Sequence, residues 1–97
     1  MPTYIVLLTL TQHGIQHVKE GPATLDTSKQ KFQALGAELK AFYLTMGQYD
    51  GVAIVEAPDD ATLAKRLLDM GSRGIVRSET LRAFTEDEYR QIIAELP

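Results

Sequence analysis

No cysteine occurs in the 97-residue chain, which excludes disulfides, thiolate metal centres and cysteine nucleophiles and fits a reducing compartment. There is no basic excess either: 10 lysines and arginines stand against 13 aspartates and glutamates, giving a net charge of −3. With no basic face to neutralise phosphates and no block of like charge to serve as a tail, nucleic acid is not expected as a partner. Long hydrophobic runs are also missing. The best, Tyr4 to Leu8, follows Pro2 and Thr3 rather than a basic region, and it is too short for a signal peptide or a membrane span. No membrane partner is therefore expected, and the expected compartment is the cytoplasm. The chain has no glycine-rich phosphate loop, serine elbow, nucleotide fingerprint, internal repeat or low-complexity tract.

What is present is apolar material in short, punctuated runs. A hydrophobic content of 44% over this length supports one small domain spanning residues 1–97, with a core but little to spare. "TYIVLLTL" (Thr3 to Leu10) lacks polar alternates and reads as a strand buried on both faces. Thr11 can cap a helical stretch that breaks near Gly21, where Pro22 disfavours helical geometry in its predecessor and opens a second helix. Ile15, Val18, Leu25, Phe32 and Leu35 recur at helical spacing, and Gly36 suits a left-handed cap. "AELKAFYLTM" (Ala37 to Met46) is mixed and aromatic, as in a strand nearer an edge, and "VAIVEA" (Val52 to Ala57) is again apolar on both faces; Gly47 to Gly51 joins them as a hairpin. Pro58 ends that strand and Asp59 caps a helix with Leu63, Leu67 and Met70 inward and Lys65, Arg66 and Asp69 outward. "IVRSETLRAF" (Ile75 to Phe84) reads as an outer strand. Thr85 and Glu88 have capping-box spacing before a short helix bearing Tyr89, Ile92, Ile93 and Leu96.

The order βαββαβ plus a terminal helix is the α+β, ferredoxin-like arrangement, a four-stranded antiparallel sheet with strands one and three central. Both central strands are apolar on both faces, yet helices cover only one. Leaving about six such side chains in water would cost roughly 9 to 18 kcal/mol, comparable with a whole domain's stability. A homodimer, or a higher homo-oligomer, packed sheet to sheet is therefore expected.

"MPTYIVLLTLTQHGI", "GAELKAFYLTMGQYDGVAIVEAPDD" and "RSETLRAFTEDEY" together resemble the GYD domain family, named for the Gly-x-Tyr-Asp hairpin, nearly from end to end. That family is similar to the dimeric α+β barrel superfamily, which includes stress-responsive barrel proteins, antibiotic-biosynthesis monooxygenases and haem-degrading enzymes. The resemblance implies the fold and the dimer. It carries over no reaction and no catalytic residues.

Several residues can bear chemistry. Asp50 beside Tyr49 can act as a general acid or base with a phenol partner, or can simply stabilise a tight turn through backbone amides. His13 and His17, four apart, face the same way and are weak metal candidates, but no third ligand stands at a companion spacing, so no metal is expected. A haem would need one of them as axial ligand in an apolar pocket; the absence of tryptophan weakens that comparison, and no cofactor is expected. Thr9, Tyr43, Glu56, Arg77, Glu79 and Arg82 are polar positions inside or at the rim of the barrel, with Arg82 a candidate ion partner of Glu56. Two functions follow. One is a dimer that binds a small organic molecule between sheet and helices through Tyr43, Tyr49, Asp50, Glu56 and Arg82. The other is a cofactor-independent monooxygenase or isomerase in which Asp50, Tyr49 or a histidine moves a proton. A purely structural or interaction role is a third reading.

Overall fold

The computed structural model describes all residues from Met1 to Pro97. In chain order the elements are β1 (Thr3–Leu10), α1 (Gln12–Gln16), a 3-10 turn (Val18–Glu20), α2 (Gly21–Ala34), β2 (Glu38–Leu44), β3 (Gly51–Glu56), α3 (Asp60–Ser72), β4 (Val76–Ala83) and α4 (Glu86–Ala94). The strands form one 4-stranded sheet in the order β2-β3-β1-β4, every neighbouring pair antiparallel. This is the expected ferredoxin-like topology, and the two doubly apolar strands occupy its centre.

Side-chain alternation along β1 and β3 divides the sheet into two faces. Tyr4 opposes Val55 and Val6 opposes Ala53 on the face covered by helices, where all four are buried. Ile5 opposes Ile54 and Leu7 opposes Val52 on the other face, which no element of the chain covers. Phe32 from α2, Leu63 from α3, Ala37 and Ala57 complete the core, with Leu8, Leu39, Leu67 and Met70 packed around it. The layer between sheet and helices is thus filled by side chains.

Two expectations about the helices are corrected. The stripe from Ile15 to Leu35 does not form one buried face: Ile15, Val18 and Leu35 are exposed, and Phe32 is the one large apolar residue of that set to be buried. The reason is the break at His17 to Glu20, which puts residues 15 and 18 on a different axis from residues 25 and 32. Arg66, expected outward, is only 4% exposed. It follows Leu63 by three positions and so shares its face. Its guanidinium lies 5.3 Å from the Phe32 ring and donates to Ser28 Oγ at 3.2 Å and Asp69 Oδ2 at 2.9 Å, while Nε has no partner.

The caps are as read. Asp59 Oδ1 accepts from the Thr62 amide at 2.8 Å to open α3. Thr85 and Glu88 bond each other's backbone amides at the start of α4, at 3.2 and 2.9 Å. The amide hydrogen bonds hold the Asp59 and Glu88 carboxyls below their ordinary values. A carboxylate with a lowered folded pKa contributes stability above its unfolded pKa and loses it as pH falls through the folded value. The melting temperature is therefore expected to fall as pH drops below about 4. In Asp59→Asn, where the amide oxygen still caps the helix without titrating, part of that fall should disappear in melts followed by circular dichroism.

Candidate functional site

The Gly-x-Tyr-Asp hairpin is bonded to the C-terminal end of β1. Gly47 has φ of 120°, a left-handed value that glycine accepts without strain. The Thr45 hydroxyl donates to the Tyr49 carbonyl at 2.6 Å, and the Thr45 amide donates to the Asp50 carbonyl at 3.0 Å. The Asp50 amide donates to the Leu8 carbonyl, and Asp50 Oδ2 accepts from the Leu10 amide, both at 2.8 Å. Asp50 therefore continues the ladder past the end of β3, its carboxylate standing in for a strand carbonyl. Asp50→Ala would leave the Leu10 amide unpaired at a partly buried position, which costs about 1–3 kcal/mol. Urea unfolding should show that loss, and Asp50→Asn, which retains an acceptor oxygen, should show less.

Tyr49 turns from the hairpin across the open face of the sheet. Its hydroxyl donates to Glu79 Oε2 at 2.5 Å, and this bond, with a smaller effect of burial, raises the phenol's pKa. Glu79 opposes Leu7 on β4, so the Tyr49–Glu79 pair spans the end of the central strand. In the sequence Glu79 is one of the candidate polar positions inside or at the rim of the barrel, and its strand parity with Leu7 is the signal that places it on this face.

The same open face holds Tyr43, opposite Val52, and Glu56, opposite both Thr3 and Glu38. Glu56 pairs with Lys40 Nζ at 3.8 Å, which also lies 3.7 Å from Glu38. The expected partnership of Glu56 with Arg82 is corrected. Arg82 opposes Tyr4 and thus projects from the helix side of β4, where its guanidinium lies 4.4 Å from the Phe84 ring and 5.6 Å from that of Tyr4. It donates to the Thr3 and Ala83 carbonyls. A shift of one strand position separates the two residues onto opposite faces. The structure therefore brings Tyr43, Tyr49 and Glu56 to one face, puts Arg82 on the other, and engages Asp50 in the backbone.

Ile5, Leu7, Val52, Ile54 and Leu81 share the open face, so its centre is apolar and its rim carries Thr9, Lys40, Glu56, Arg77 and Glu79. The layer on the other side is packed, with Tyr4 donating through its hydroxyl to Asp60; burial and then that bond raise the Tyr4 phenol's pKa. Surface grooves flank α3 instead. One, of about 450 Å³, lies between α3 and β4 over Leu67, Leu68, Val76 and Arg77; another, of about 330 Å³, lies between α2 and α3 beside Lys31, Lys65 and Asp69. The His13 and His17 rings stand 4.3 Å apart, and His17 Nδ1 lies 2.9 Å from the His13 carbonyl, to which it donates in the Nδ1–H tautomer. No third histidine, aspartate or glutamate joins them in a metal-binding group. No helix is long and apolar enough to cross a membrane.

Comparison with known proteins agrees with this geometry. The family model described as GYD domain matches residues 4–93. A protein of Thermus thermophilus, named glutamine synthetase and cystathionine beta-lyase binding protein, is 40% identical over 84 residues, covering 86% of this chain and 88% of that protein. Among solved structures, TTHA0845 from Thermus thermophilus superposes with a TM-score of 0.55 at 25% identity, covering 88% of this chain and 95% of its own. A hypothetical protein, PHS023 from Pyrococcus horikoshii, gives 0.54 at 22% identity, covering 89% of this chain and 93% of its own, a likeness of fold alone.

Proposed function

The chain belongs to the GYD domain family, and from that premise we propose that it is a homodimeric protein-binding module whose partners are the enzymes named for its Thermus relative, glutamine synthetase or cystathionine beta-lyase. The homodimer is carried by the contrast between the two sides of the sheet, and the choice of partner enzymes by the name of the Thermus relative, 40% identical over 84 residues. The helix side is filled by core residues, whereas the other side presents Ile5, Leu7, Val52, Ile54 and Leu81 with no element over them. An apolar sheet face of this kind is characteristic of surfaces that meet another protein. Two copies related by a two-fold axis would bury it self-complementarily, with the rim charges of Lys40, Glu56, Arg77 and Glu79 at its margin.

A small molecule held between sheet and helices has less support, because Tyr4, Val6, Phe32, Val55 and Leu63 occupy that layer. Tyr43, Tyr49 and Glu56 then serve the interface and its margin. Proton transfer by Asp50 or Tyr49 has less support for a similar reason: each side chain is already committed, to the Leu10 amide and to Glu79. Sedimentation velocity at micromolar concentration tests the dimer. A species of twice the 10.8 kDa chain mass is expected, and a monomer alone would defeat the proposal.

A further inference from the structure

Helix α4 has an apolar side that its own chain leaves uncovered. Tyr89, Ile92, Ile93 and Leu96 are all exposed, although the Thr85–Glu88 capping box and three acidic residues in the first turn commit the segment to a helix. A nine-residue helix is marginal in water without a surface to pack on, since isolated helices shorter than about 12–15 residues are barely stable. The molecule's dimensions point the same way. Its radius of gyration is 14.6 Å, against about 12.5 Å for a compact chain of this length.

The groove between α3 and β4 is suited to receive such a helix. It offers Leu67, Val76 and the exposed Leu68 as an apolar floor, with Arg77 at its edge. The groove's lining holds no acidic residue that would repel Glu86, Asp87, Glu88 and Glu95 of α4 and its cap. Reach rules out the helix's own groove. The groove lies at the Val76 end of β4 and α4 leaves from the Ala83 end, about 23 Å away at strand spacing. Folded back along β4, Ile92 would still stop on the order of 10 Å short.

We propose that α4 is exchanged between two copies of the chain, each seating Tyr89, Ile92 and Ile93 on the partner subunit in the groove between α3 and β4. The inference rests on the homodimer proposed above. If a two-fold axis runs across the strands, the β4 strands of the two copies are antiparallel, so the Ala83 end of one stands beside the Val76 end of the other. The groove lies beyond the partner's sheet, so the crossing is the roughly 10 Å between face-packed sheets plus about 5–10 Å to the helix layer, which the link through Phe84 and Thr85 plus the helix, roughly 20 Å in all, just spans. The groove lies on the helix side of the sheet, so occupying it does not compete with contact between the open faces.

Because the chain has no cysteine, the double variant Leu68→Cys, Ile93→Cys reports the contact directly. Under mild oxidation it should give a covalent dimer on a non-reducing denaturing gel, and neither single variant should do so to the same extent. In the cysteine-free background, Ile92→Asp should raise the dimer dissociation constant about tenfold or more. If the wild-type chain is a dimer by sedimentation but the double-cysteine variant yields only free thiols or an intrachain disulfide, and Ile92→Asp leaves the dissociation constant unchanged, the exchange is overturned while the homodimer stands. A wild-type monomer would overturn both.

Discussion

Gly14→Ala is expected to lower the unfolding free energy by about 3 kcal/mol, at the upper end of what overpacking costs. A Cβ on Gly14 would lie 2.0 Å from the Ile75 carbonyl oxygen and 3.2 Å from Leu10 Cδ2. That carbonyl is held in place, because it also accepts from the Thr11 amide at 3.0 Å. The Thr11 hydroxyl, in turn, donates to the Gly74 carbonyl at 2.5 Å and accepts from the Gly14 amide at 3.0 Å. These bonds weld the end of β1 and the short helix α1 to the segment leading into β4, so neither side can retreat cheaply. For a domain of this size each kcal/mol shifts the melting temperature by about 4–8 °C, and a fall of at least about 10 °C is expected by calorimetry. A shift within a degree or two would mean that α1 moves freely against β4.

Ile54→Asp is expected to convert the dimer into a folded monomer. Ile54 sits in the middle of the open face, opposite Ile5 on β1 and Ala41 on β2. In a two-fold interface the substitution introduces two carboxylates into apolar surroundings with no partner, which costs several kcal/mol. The dissociation constant should rise by about 100-fold or more, visible as monomer by sedimentation at micromolar concentration. The fold should survive, because in one copy that position is only half-buried and lies outside the core cluster, and circular dichroism should be close to that of the parent. Ile54→Val, which keeps the face apolar, should leave the dimer in place.

The architecture was legible because its signals are local. Continuous apolar runs marked β1 and β3 as central, Asp59 and Thr85 marked helix starts, and Gly36 and Gly74 adopt the left-handed φ of 75° and 77° that ends a helix. The hairpin was legible for the same reason, although the Leu10 amide as the partner of Asp50 is a contact across 40 positions that no local pattern reveals. The less legible features depend on pairing register or on packing between distant elements. Glu56 and Arg82 are both charged and both near strand ends, but one odd step in register sends them to opposite faces. Arg66 has the composition of a surface residue and the helical phase of a core one, and its stem and Phe32 decide in favour of burial. The α4 stripe is legible as an apolar side, but that nothing in the chain covers it emerges only when the other elements have been placed.

The most direct test of the account is a calorimetric titration of the purified dimer with glutamine synthetase and, separately, with cystathionine beta-lyase from the organism that encodes the chain. A protein-binding module should give saturable heat with at least one of the two enzymes, at a fixed ratio of dimers to enzyme. No binding to either enzyme, at concentrations where the protein is folded and dimeric, would contradict it.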